Sequence, residues 1–123
     1  MGLLIAPFTY AEAPYDSLES VISAEPQTVI GHAYIEVSTR WPDQWEEFVK
    51  IINKESGWNY LAANPSSSAS GLCQTMMSLH KDTVSKNFLH DPYEQIDWCI
   101  LYISKTYQDP VRAWEFHIEN NWF

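Results

Sequence analysis

A carboxylic acid moves protons best when its surroundings keep it protonated near neutral pH. One glutamate of this chain has such a setting in the string ESGWNYLAANPSSSASGLCQTMM, which begins at Glu55. Glu55 falls at the C-terminal end of an otherwise apolar-faced helical run, with Trp58 and Tyr60 just beyond it. A helix end carries partial negative charge that disfavours a carboxylate. Flanking aromatic rings exclude water, and both effects raise a carboxyl pKa. An acid held in that state can protonate the leaving oxygen of a glycoside. A glutamate at a helix end is, taken alone, most often an ordinary solvated residue. The other reactive side chains form weaker sets. His80 and His90 lie near Asp82 and Asp91, at spacings that match no helical metal pair. Cys73 with a histidine would be needed for thiol hydrolysis, yet no papain-like sequence surrounds it, and a buried or paired cysteine is the simpler account. Cys73 and Cys99 leave open both one disulfide and two buried thiols.

The elements that must hold Glu55 are helical from Trp41 onward. Trp45, Phe48, Val49 and Ile52 recur at helical spacing, and Ser56-Gly57 predicts the stop. A polar loop follows over residues 63–70, then Gly-Leu-Cys-Gln and a short helix around 76–86. Asp91-Pro92 and Asp109-Pro110 read as paired helix starts, aspartate capping and proline in the first turn. The first helix carries Ile96, Ile100, Leu101 and Ile103, the second Val111 and Trp114 with Ile118 a further turn on. Trp41, Trp45 and Phe48 read as core, while Trp58, Tyr60, Trp114 and Trp122 suit either core or a sugar-stacking platform. Residues 1–40 differ: they hold Pro7, Pro14 and Pro26 and little periodicity. Asp16 to Ser23 reads as a short capped helix, and the alternation in HAYIEVST, residues 32–39, as a lone strand. The reading is therefore an N-terminal extension, 1–40, packing on the domain or on a partner, and one mainly α domain, 41–123, with a long irregular loop or small hairpin beside the helix of Glu55.

Composition narrows the classes. A chain of 123 residues suits one compact domain, and 46% hydrophobic residues argue against wholesale disorder. A net charge of −9 disfavours binding to nucleic acid or to an anionic membrane surface. No run of eighteen apolar residues occurs, and the start MGLLIAPFTYAEA lacks a basic residue ahead of its apolar stretch, so it reads as a non-signal. The acidic balance also argues against electrostatic steering towards any negatively charged surface.

The string from Glu55 to Met77 resembles the soluble lytic transglycosylase type of the lysozyme superfamily. The likeness lies in Glu-Ser, an aromatic two residues on, a loop with Ala62, Pro65, Ser67 and Ala69, and the turn Gly71-Leu72-x-Gln74. It continues through WCILYISKTY, similar to that family's cleft-buttressing helix, and AWEFHIENNWF, similar through Ala113, Trp114 and Trp122 to the ending of its short phage and actinobacterial versions. It spans about 41–123. The resemblance implies that Glu55 is the sole catalytic acid and base, that Ser56 shapes the site, and that Gln74 contacts substrate near the scissile bond. Trp58 and Trp114 join these as candidate substrate-binding residues. The implied substrate is the peptidoglycan glycan strand, cut at the β-1,4 bond between N-acetylmuramic acid and N-acetylglucosamine with a 1,6-anhydro product. No metal or cofactor is implied. The chain departs from the pattern at Cys73, at Ala113-Trp114-Glu115-Phe116 and at Phe123, which puts contacts on the C-terminal side in question. Two alternatives stand beside this reading: a hydrolytic lysozyme using Asp82, Asp91 or Glu115 as second carboxylate, and a non-catalytic wall-binding module of the same fold. Action on the cell wall without a clear signal favours a phage-delivered or virion-associated protein, with residues 1–40 as its contact to a carrier.

Overall fold

The computed structural model describes residues 28–123. The expected helix from Asp16 to Ser23 lies outside the described residues. Helix α1, Val29–Arg40, starts where the Thr28 side chain accepts from Gly31 N–H at 3.0 Å. Helix α2 is Trp45–Glu55. A two-stranded antiparallel hairpin follows, β1 Ala69–Ser70 and β2 Thr75–Met76, paired Ala69 to Met76 and Ser70 to Thr75. Next come the short α3, Met77–His80, two single 3₁₀ turns at Lys81–Thr83 and Phe88–His90, then α4, Pro92–Thr106, and α5, Pro110–Asn120. The result is the mainly α domain with a small hairpin that the sequence led us to expect.

The two Asp-Pro starts behave as read. Asp91 accepts from the N–H groups of Tyr93 and Glu94, and Asp109 from that of Arg112. Each aspartate satisfies donors that the first helical turn leaves unpaired, and proline occupies a position whose N–H is not needed. Helix α2 stops at Glu55, with Gly57 in the left-handed region at φ 60°.

One expectation is corrected. Residues 32–39 are not a strand but the body of α1. Ala33 and Val37, four apart, are fully buried and Ile30 is buried beside them, whereas Ile35 is 44% exposed. The apparent alternation came from Ala33, Ile35 and Val37, and packing chose the helical pair. α1 lies against α4, and α2 against α5. Ile30, Ala33 and Val37 thereby enter the same core as Phe48, Ile51, Ile52, Ile96 and Ile103. Not every apolar residue of α4 and α5 turns inward. Leu101 and Ile118 are exposed at 47% and 60%. The inward face of α5 is Pro110, Ala113 and His117 instead.

Gln95, fully buried on α4, holds the loop beside the hairpin. Its Oε1 accepts from Leu72 N–H at 2.8 Å, and its Nε2 donates to the carbonyls of Phe88 at 2.8 Å and Tyr60 at 3.3 Å. Gly71, at φ 83°, passes so near that a Cβ there would sit 2.6 Å from Gln95 Oε1. Glycine is needed for both the left-handed backbone and the close approach. Cys73 and Cys99 form a disulfide that joins the same turn to α4, resolving the open choice between bridge and free thiols.

Candidate active site

The helix that ends at Glu55 delivers its carboxyl to a largely water-free position, with the side chain 13% exposed. The next residues turn the chain away sharply. Ser56 and Gly57 N–H groups both bond to the Ile52 carbonyl at 3.0 Å, and Gly57 and Trp58 take left-handed backbone, φ 60° and 66°. Ser56 is fully buried; its Oγ donates to Ile52 O at 3.4 Å and accepts from Trp58 N–H at 3.2 Å. The serine therefore shapes the reversal after the acid, a role in backbone geometry.

Opposite Glu55 stands a residue that sequence reasoning missed. His117 on α5 places Nε2 2.5 Å from Glu55 Oε2, across 62 residues of sequence. Its side chain is 6% exposed. The Trp114 ring stacks on it at 5.7 Å and 26°, and Phe123 lies 6.1 Å away. The packing of α2 on α5 makes this meeting possible. The available signal was helical spacing from Ala113, at i and i+4, hidden because histidine reads as polar in an apolar pattern.

Burial pushes the Glu55 carboxyl above its ordinary value of 4.5, and the hydrogen bond and charge of His117 pull part of the way back. Burial is thus the leading cause. The aromatic surroundings extend to Tyr107, whose phenol is likewise held well above its usual range by burial and then by Tyr102. Tyr107 stacks with Phe123 at 5.9 Å and leans on Phe116 at 5.3 Å.

The remaining candidates are placed as follows. Trp114 joins Glu55 through His117. Trp58 packs towards the core near Trp45, ring centres 6.4 Å apart, and lines a 210 Å³ cavity with Val29, Leu72 and Pro92. Gln74 sits in the turn at φ 52°, with Nε2 donating to Gly71 O at 3.1 Å and Ala62 O at 3.4 Å. Its Oε1 is buried without a hydrogen-bond partner among the described residues. Of the carboxylates weighed as a second group, Asp91 caps α4, and Asp82 and Glu115 are exposed. Glu115 is two residues from His117 on one helix, a rotation of about 200° that turns it away from Glu55. Among the described residues no helix is long and apolar enough to cross a membrane.

A family profile described as Transglycosylase SLT domain matches residues 32–118. Searches of curated proteins and of solved structures returned no match.

Proposed function

The chain belongs to the transglycosylase SLT domain family, peptidoglycan-cleaving enzymes of lysozyme-like fold, and on that premise we propose that Glu55 is its catalytic acid and base. The observation that carries this reading is the Glu55 carboxyl itself: buried at a helix end, raised in pKa, bonded through Oε2 to His117. His117 takes Oε2, which leaves Oε1 as the oxygen to face a substrate oxygen. Glu55 gives its proton to the glycosidic oxygen as the bond from C1 breaks, and the electron pair of that bond stays with the leaving oxygen. The carboxylate then takes the proton of the muramic 6-hydroxyl while its oxygen bonds to C1 and closes a 1,6-anhydro ring. The nucleophile is held within the substrate at high effective concentration, so no second carboxylate is needed to position water. The exposure of Asp82 and Glu115, and the capping duty of Asp91, support this over hydrolysis. Trp114 offers a ring beside the acid for a sugar face, Ser56 fixes the turn after it, and the uncommitted Oε1 of Gln74 is an acceptor for substrate.

Digestion of purified sacculi tests the reading. Muropeptides are expected to carry 1,6-anhydro ends, lighter by one water than lysozyme products, and Glu55→Gln should lower turnover by at least about a hundredfold. Fully reducible ends would replace the transglycosylase product with a hydrolytic one. Near-normal turnover of Glu55→Gln would remove Glu55 from the chemistry.

A further inference from the structure

A carboxylic acid has two oxygens, and only a proton on the one facing the substrate can be given to it. In this site Oε2 is taken by His117 Nε2. An imidazole in that place has two options. With Nε2 bare, it would draw the acid proton onto Oε2, and Oε1 would be a carbonyl oxygen with nothing to donate. With Nε2 protonated, it donates to Oε2, and any proton that Glu55 carries must reside on Oε1.

We propose that His117 is a positioning residue for Glu55, its Nε2–H donating to Oε2 so that the transferable proton is kept on Oε1. The inference rests on the role proposed for Glu55 and adds what fixes the proton. The surroundings support it. Trp114 stacked on the ring and Phe123 near it hold the ring, so Nε2 keeps its aim through turnover. The same bond serves both halves of the reaction. When Glu55 is neutral, Oε2 accepts as a carbonyl oxygen. Once Oε1 has given up its proton, charge develops on the carboxylate and the bond becomes a charge-assisted one, stronger than before. Burial without such a donor would leave Glu55 too weak an acid to release its proton. Other ionisable groups leave this role to His117. Lys54 adjoins Glu55 on α2, and Tyr107, at the end of α4, keeps its proton. On α5, Arg112 pairs with Asp109, while Glu115 and Glu119 are exposed, each two residues from His117 and so on the far side of the helix.

Two variants and one measurement on the unaltered protein test this. His117→Gln retains an N–H donor, and His117→Leu has none. The rate on purified sacculi is followed against pH, with ¹³C NMR titration of the Glu55 carboxyl alongside. Loss of the donor disfavours the ionised carboxylate, so in His117→Leu the Glu55 titration and the alkaline limb of the rate should move up by about one pH unit. Turnover should fall about tenfold or more. His117→Gln should keep the limb and most of the rate. A His117→Leu enzyme with the unaltered limb overturns the proposal, as does a His117→Gln enzyme as impaired as His117→Leu. Should the leucine variant not fold, ¹⁵N NMR of the unaltered protein decides: a proton on His117 Nε2 is expected, and bare Nε2 overturns the proposal. The NMR readings do not depend on turnover, so an active Glu55→Gln enzyme would sink the proposed function while leaving the tautomer result to stand or fall alone.

Discussion

At the scale of single residues, the site joins a carboxyl pushed up by burial to a histidine that moderates it. The raised pKa is also a statement about stability. Because the folded state prefers protonated Glu55, its contribution to stability is fully present below the ordinary value of 4.5 and is lost as pH rises through the raised folded value. Glutamine removes that loss while preserving shape. The thermal midpoint of Glu55→Gln should therefore match the unaltered protein in acid and exceed it increasingly as pH rises above 4.5. Calorimetry across that range checks the slope, and a gain that shrinks with rising pH would contradict the assignment of burial as the leading cause. Glu55 could be singled out as a candidate from the sequence because its neighbours formed a long motif. His117 was not, because its importance comes from an apposition across 62 residues that no local pattern contains.

At the scale of elements, the legible parts were those with local chemistry. Aspartate followed by proline marks a helix start through bonds made within four residues, and Gly57 marks a stop through its own backbone. Helix α1 was misread because its apolar residues satisfy both a period of two and a period near four, and only the partner helix α4 decides between them. Gln95 gave no signal at all: its three loop bonds, two to residues far off in sequence, appear only when α4 is laid beside the loop. The corrected α1 changes where we propose the domain begins, near Thr28 instead of residue 41. A chain starting at Ser38 would lack Ile30, Ala33 and Val37, all buried in the shared core. Losing one large buried aliphatic side chain typically costs about 2–5 kcal/mol, so losing Ile30 and Val37 together with the helix that carries them approaches the whole stability of a small domain. A chain starting at Thr28 is expected to unfold cooperatively, and one starting at Ser38 to show no cooperative transition by circular dichroism. A cooperative transition from the shorter chain would restore the boundary at 41.

At the scale of the whole molecule, the helices pair out of turn: α1 with α4, and α2 with α5. Each of the two pairings joins a helix before the 63–70 loop to one after it, and the hydrogen-bonded pair, Glu55 and His117, is divided the same way. The loop between them is exposed at Pro65, Ser66 and Ser67. This arrangement makes the protein a natural split enzyme. If the chain is made as two pieces, cut between Ser66 and Ser67, each piece has half of every cross-loop pairing and half of the acid–histidine pair. Neither should cleave sacculi. Mixed in equal amounts, they have complementary apolar faces to bury against each other, and activity should return in proportion to the square of their concentration when both are dilute. Activity from the first piece alone would mean that Glu55 needs nothing from the far side of the loop. Failure of the mixture to recover any would mean that the single covalent link through the loop, and not the interleaving of the helices, holds the halves in register.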